Sequence, residues 1–322
     1  MKFNLTNTLL YYILFIGMFL SVSSNNWMMM WSGLEISLMS FIPLMSGGVS
    51  GSESSMKYFI IQSISSTLLI LSIMMMISMD FNYKFIFMIS MIIKMGIAPF
   101  HNWVLSIINS LEYKLMFILL TIMKITPLVM ISYLNYCNDL IIMLSLLIGS
   151  IFSLNQNSIR KLLGYSSIYN MAYILSSVNM NLIWFLYFIM YSTILFLLIK
   201  LTSKLKINYL NQFMINDYSM IIKTNLWINM LSLGGMPPLL GFLPKFIVFQ
   251  MMVMKKSFML ILMMILTSLV VMFFYTRMVF ISFMNYTMMM KQTMKMFSMS
   301  NMWSLLINIS FFPVLISLKF FN

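Results

Sequence analysis

Acidic groups are scarce in this chain: six Asp and Glu among 322 residues, against nineteen Lys and Arg. One cysteine, Cys137, excludes an internal disulfide framework. It also excludes a cysteine-held iron–sulfur cluster, which needs several thiolates. One histidine, His101, leaves a protein metal site short of ligands. Charged residues make up only 8% of the chain, too few to keep a globular surface in solution. There is no Gly-rich phosphate loop and no dinucleotide fingerprint, so no nucleotide site is expected. A net charge of +13 would suggest nucleic acid in a soluble protein. Here the basic residues sit in short loops between apolar runs, which is a membrane-topology pattern and implies no nucleic-acid partner.

What is present is apolar. Hydrophobic residues are 61% of the chain and mean hydropathy is +0.97. A membrane span needs about 20 mainly apolar residues. Expected spans fall near 3–22, 26–46, 56–78, 84–106, 114–134, 138–154, 161–178, 180–200, 223–251, 257–283 and 300–320. The fold class is therefore all-α: a polytopic membrane helix bundle of about eleven helices, with residues 1–322 as a single integral membrane domain. The run Leu5–Leu20 reads as a retained first span, since no small-residue cleavage site leads into a soluble domain. No Arg-rich amphipathic presequence is present, which fits synthesis inside an organelle.

Loops on the N-terminal side of this map hold most of the basic residues, among them Lys57, Lys114, Arg160, Lys161, Lys200, Lys204, Lys206 and Lys223. The opposite side holds Lys84, Lys255, Lys256 and Lys319. The asymmetry supports an odd number of spans and an N-terminus on the matrix side. Met occurs 42 times, while Gly and Pro occur only 11 and 7 times. That usage suggests an AT-rich genome in which AUA is read as Met, as in animal mitochondria. The plainer alternative is Met as a flexible apolar filler.

Against this background four charges stand out. Glu35, Lys94, Lys124 and Lys245 lie deep in four different spans. Such charges cost about 2.5–3.5 kcal/mol each on insertion scales, on the order of 10 kcal/mol together. The usual compensation is a polar path through the protein, so ion or proton movement is expected. Two of the spans also carry helix breakers, in Lys94-Met-Gly96-Ile-Ala-Pro99-Phe-His101-Asn-Trp103 and in Gly234-Gly235-Met-Pro237-Pro238-Leu-Leu-Gly241-Phe-Leu-Pro244-Lys245. Paired interrupted helices point to a transport site built from repeats, or to two kinked packing helices. Lys94 is the natural partner of Glu35, giving either a switchable gate or a static ion pair. Buried lysines exchange a proton readily near neutral pH, which suits Lys124 and Lys245. His101 would link inner and outer parts of a proton path, or serve as an interfacial polar contact. Gln62, Ser63, Ser65, Ser66 and Thr67 in the third span, and Ser166, Asn170 and Tyr173 in the seventh, would hydrate the path or act as helix–helix glue. Glu53, Asp80, Glu112, Asp139 and Asp217 read as loop residues, and Trp103 as interfacial.

These motifs, with Asn26-Trp27, Trp31-Ser-Gly-Leu-Glu35 and Arg160-Lys-Leu-Leu-Gly-Tyr-Ser-Ser167, resemble the subunit 2 family of mitochondrial NADH dehydrogenase, respiratory complex I. The resemblance covers nearly the whole chain, and length and Met content suggest an arthropod-type version. The Lys-x-Gly-x-Ala-Pro-Phe-His-x-Trp run is specific to the antiporter-like subunits and related cation antiporters. The resemblance implies two inverted repeats of five spans and two broken helices. It implies that Glu35 and Lys94 form the gating pair, that Lys124 is the central lysine and that Lys245 is the lysine of the second broken helix. His101 matches the histidine bridging the half-channels. The implied activity is proton translocation coupled to NADH oxidation by ubiquinone, with flavin, iron–sulfur clusters and ubiquinone held elsewhere in the complex and no cofactor on this chain. Implied partners are the other membrane-arm subunits, including neighbouring antiporter-like ones, and phospholipids such as cardiolipin. A proton/cation antiporter of the same fold and a structural membrane scaffold are the alternatives.

Overall fold

The computed structural model describes residues 5–78, 83–134, 138–180, 182–212 and 220–284, together with Leu305 and Asn308. The eleventh expected span, apart from those two residues, lies outside this set, as do Cys137, Asp80, Asp217 and Lys319. Among the described residues there are thirteen α-helices and no strand; a single bridge pairs Ser158 with Tyr209. Six helical stretches are long and apolar enough to cross a membrane, and two shorter apolar helices accompany them.

The chain gathers into two compact units. The first, Met1–Ser145, holds α1 (Leu5–Ser23), α2 (Trp27–Met45), α3 (Gly48–Ile77), α4 (Tyr83–Met95), α5 (Asn102–Ile108), α6 (Tyr113–Leu120), α7 (Ile122–Leu134) and the start of α8 (Asp139–Leu154). The second, Leu146–Asn322, holds the rest of α8, then α9 (Ile159–Ser177), α10 (Ile183–Leu205), α11 (Met220–Gly234), α12 (Phe242–Met254) and α13 (Phe258–Met284).

A helix is the form that satisfies its own backbone where no water is present. The side chains follow the same rule. Serine hydroxyls donate one turn back to their own helix, as Ser21 does to Met18 O at 2.7 Å, Ser37 to Leu34 O at 2.8 Å and Ser72 to Leu69 O at 2.6 Å. Many large apolar side chains also face outward. On α1 they are Leu9, Tyr12, Ile16 and Phe19, and on α13 Leu262, Ile265, Leu269 and Phe273. Their three-to-four-residue spacing makes one apolar stripe per helix, a liability in water and a fit for lipid.

In the first unit, α1 and α2 pack with their backbones in contact. A Cβ on Gly33 would stand 2.6 Å from Gly17 O and 2.7 Å from Ser21 N. That close approach fixes α2 against α1; Glu35, two residues on, lies on nearly the opposite side of α2 from this contact. Helix α3 begins at Gly48, eight residues before the expected start. Its polar first turns hide the helix from a hydropathy window. Glu53 therefore lies inside α3, paired with Lys57 at i, i+4, and is not a loop residue. In the second unit, every residue of α9 from Leu162 to Ser177 is buried, and α10 and α12 pack against it.

Replacing Gly33 with Val forces the α1–α2 contact apart. The expected loss is about 1–3 kcal/mol, read as a lower thermal-unfolding midpoint in detergent; an unchanged midpoint would contradict the tight packing.

Candidate functional site

Glu35 lies on α2, Lys94 in the last turn of α4, Lys124 in the first turn of α7 and Lys245 in the first turn of α12. The three lysines are buried, with 8%, 2% and 4% of their surface exposed.

Helix α4 stops at Met95 because Gly96 takes a left-handed conformation, φ +65°. The N–H of Gly96 bonds Ile93 O at 3.1 Å and that of Ile97 bonds Ile92 O at 3.2 Å, the paired pattern of a Schellman cap. Side chains supply further donors. Trp103 Nε1 donates to Ile93 O at 3.1 Å, and Gln62 Nε2 donates to Lys94 O at 3.3 Å. Trp103 is thus a buried donor at a helix end, not the interfacial residue its position suggested. A Cβ on Gly96 would run into Val104 and the Trp103 ring.

Helix α11 ends the same way. Gly235 has φ +89°; its N–H bonds Ser232 O at 3.1 Å, and that of Met236 bonds Leu231 O at 3.2 Å. Here the extra donor is Lys245. Its Nζ reaches back from α12 to Gly234 O at 2.7 Å and Leu233 O at 3.3 Å. A cation at a helix C-terminus is favoured by the helix dipole. The ammonium also lies 5.2 Å from the centre of the Tyr169 ring and 6.0 Å from that of Tyr173, within cation–π range.

In the first unit, Lys94 and Lys124 open onto one cavity. Tyr58, Gln62, Trp103, Met123 and Pro127 share its lining, and about 20 Å³ is open to the centre of a water molecule. A water needs about 10–15 Å³ on that measure, so the cavity holds about one. Pro127 lacks the N–H that would bond the Met123 carbonyl, and Thr121 departs from helical geometry just before Lys124, with φ −120° and ψ −76°. Glu35 is half-buried and its Oε1 has no protein hydrogen-bond donor. It stands within electrostatic range of both Lys94 and Tyr58. Among the described residues Glu35 and Lys94 form no direct ion pair.

His101 is largely buried at the start of α5, and its Nδ1 lies 3.1 Å from Pro99 O. A carbonyl only accepts, so Nδ1 carries the proton in this contact. His101 is not among the residues lining the Lys94–Lys124 cavity. The hydroxyls of Ser63, Ser65, Ser66 and Thr67 turn back onto their own helix; of that cluster Gln62 alone reaches the cavity.

In the second unit, Lys245 shares a smaller cavity with Asn170, Tyr187, Tyr191 and Ser232. Tyr187 donates to Asn170 Oδ1 at 2.9 Å, and Tyr169 to the Tyr173 hydroxyl at 3.0 Å. Tyr173 in turn donates to Met264 O at 3.1 Å. Of these, Asn170 and Tyr173 were expected from the helical spacing. Tyr58, Tyr169, Tyr187 and Tyr191 were not, although the i, i+4 pairs 169/173 and 187/191 are visible as spacing.

The profile of the NADH:quinone oxidoreductase/Mrp antiporter transmembrane family matches residues 24–85 and 77–271. The chain belongs to this family. The matched segments include Glu35, Lys94, Lys124 and Lys245. Among individual relatives, the chain is similar to NADH-ubiquinone oxidoreductase chain 2 of Anopheles gambiae, at 36% identity over 297 residues, 87% of this chain and 86% of that one. The Aedes aegypti chain 2 is 35% identical over 330 residues, 97% of this chain and 96% of that one. Among solved structures, the family fold is similar to a chain of respiratory complex I from Thermus thermophilus with bound aureothin. The TM-score is 0.79 at 20% identity, covering 88% of this chain and 71% of that one. A chain of the Mrp complex from Dietzia sp. gives a TM-score of 0.76 at 13% identity, covering 84% and 59%.

Both left-handed glycines are expected to resist substitution. Gly96→Ala and Gly235→Ala should each cost about 1–3 kcal/mol, measured as a fall in thermal stability of the purified chain in detergent. Gly235→Ala also presses a methyl group to 2.9 Å from Lys245 Nζ, so faster amide exchange at the end of α11 is expected from it. Unchanged exchange there would contradict the capping role of Lys245.

Proposed function

We propose that this chain is a core membrane subunit of respiratory complex I in the inner mitochondrial membrane, carrying proton translocation coupled to NADH oxidation by ubiquinone. Identity of 35–36% with the chain 2 proteins over most of both sequences supports the assignment. The observation that carries the mechanism is the shared cavity of Lys94 and Lys124. Two buried amines on one small cavity, with a carboxylate in electrostatic range, are a set of sites between which a proton can step.

In this reading Glu35 and Lys94 form the gate, Lys124 is the next station and Lys245 serves the same purpose in the second unit. His101, with Nδ1 committed to Pro99 O, would relay protons through Nε2. The identical caps at Gly96 and Gly235 support two broken helices of a repeated architecture, within one membrane domain of about eleven spans. The loop charges favour an N-terminus on the matrix side. One cysteine and one histidine supply too few ligands for an iron–sulfur cluster on this chain, and by the family resemblance flavin, clusters and quinone are assigned to other subunits. Partners in this reading are the other membrane-arm subunits and anionic phospholipids such as cardiolipin. Membership in a family that includes Mrp antiporters keeps a proton/cation antiporter as the second reading.

The test is proton pumping by the assembled complex in sealed vesicles carrying Lys94→Met. Loss of a positioned proton-transfer group is expected to slow pumping by at least about tenfold. Pumping at the wild-type rate would overturn the proposed role, and pumping replaced by sodium-dependent exchange would favour the antiporter.

A further inference from the structure

The Lys94–Lys124 cavity has one more protic side chain whose place is set by its neighbours. Tyr58 lies on α3, is buried, and lines the cavity with both lysines. Its ring is held from two sides, edge-on to Phe41 at 5.4 Å and tilted against Trp103 at 5.9 Å. Gln62 sits one turn further along the same face and ties it to the end of α4 through the Lys94 carbonyl. The ring is therefore held by two aromatic contacts on the cavity wall that Lys94 also lines. Glu35 is within electrostatic range of Tyr58 and of Lys94, yet touches neither lysine as an ion pair. Its Oε1 has no protein donor. A phenol and an ammonium thus share a space for about one water, and the Glu35 carboxylate stands within electrostatic range of both.

We infer that Tyr58 is a further proton-transfer residue, its hydroxyl linking Lys94 to Glu35. A phenol both accepts and donates a hydrogen bond, so it can pass a proton without keeping a charge. In the step, an N–H bond of the Lys94 ammonium breaks as its proton moves to a water in the shared cavity, which passes one of its own protons to the phenol oxygen. The phenol's own proton moves to Glu35, forming a carboxylic O–H bond. Tyr58 ends as it began, and one cation and one anion become a neutral amine and a neutral acid. Neutralisation in place removes both charges from a site where separating them would leave each without its counter-charge. This rests on the proton-translocating reading above.

The experiment compares Tyr58→Phe, Lys94→Met and the unaltered complex, all assembled in sealed vesicles. NADH-driven electron transfer with an uncoupler and initial proton uptake are measured side by side. Tyr58→Phe keeps the ring contacts and removes the hydroxyl, so pumping should fall by about tenfold. The expected rescue is by Tyr58→His, whose ring also donates and accepts. A structural role predicts the reverse order, with Phe the milder change. Normal pumping in Tyr58→Phe while Lys94→Met is inactive would overturn the Tyr58 role and leave the function standing. Normal pumping in both would overturn the roles of Lys94 and Tyr58 alike. Should Tyr58→Phe fail to assemble, Tyr58→Leu replaces it as the aprotic variant. Pumping by Tyr58→His no faster than by Tyr58→Leu, or assembly of neither, would then overturn the proposal in favour of a structural role.

Discussion

A backbone carbonyl that leaves its helix inside a hydrocarbon layer has no water to turn to. Among the described residues, two helix ends answer that constraint. At the end of α4 two carbonyls are bonded by the left-handed turn at Gly96, and Trp103 and Gln62 add donors from α5 and α3. At the end of α11 the turn at Gly235 does the same, and the Lys245 ammonium covers the next two carbonyls. Helix stops at this depth are tolerable because each carbonyl so covered has a donor of its own. Gly96, Trp103 and Gln62 are therefore one device, and the placement of Lys94 is its consequence.

The two stops share a backbone form but treat their lysines differently. Lys94 precedes its glycine by two residues and belongs to the helix that ends. Other side chains bond the local carbonyls, so its ammonium points at a cavity. Lys245 follows its glycine by ten residues and belongs to the helix that begins. Its ammonium is itself the cap, held further by the faces of Tyr169 and Tyr173. Releasing Lys245 therefore exposes the Leu233 and Gly234 carbonyls, each an unsatisfied group worth about 1–3 kcal/mol. The Lys94 ammonium takes no part in capping its own helix end, whereas the Lys245 side chain is tied to the stability of α11.

Much of this was legible in the residues and some was not. Lysines in apolar runs announce themselves, because insertion makes each one expensive. Gly96 and Gly235 were legible too, since glycine and proline clusters interrupt helices whatever their surroundings. The start of α3 was hidden because its first turns, rich in Ser and Gly, look like a loop to hydropathy. Tyr58 was hidden for the opposite reason: with 16 Tyr and 28 Phe in the chain, one more aromatic in an apolar run carries no signal. The serine cluster of α3 misled in a third way. Hydroxyls in a helix can be satisfied by their own carbonyls, so polarity in sequence does not imply polarity toward a cavity. Distance between elements is the piece no local pattern supplies, and it decides whether Glu35 and Lys94 touch.

Cavity size then limits how charge can move in the first unit. Space for about one water cannot hydrate an ammonium, which in bulk keeps several. Protein groups must take over that work, and the polar side chains on the cavity wall are few: Gln62 and Trp103, each donating to a backbone carbonyl, Tyr58, and the lysines themselves. A proton crossing such a space moves by short transfers between fixed groups, not by diffusion of a hydrated ion. Short transfers need donors and acceptors held within hydrogen-bond reach, and holding them demands rigid walls. The ring contacts of Tyr58 and the capped end of α4 supply that rigidity. The same bonds that make a helix stop survivable in lipid also hold the Lys94 end of the cavity in place.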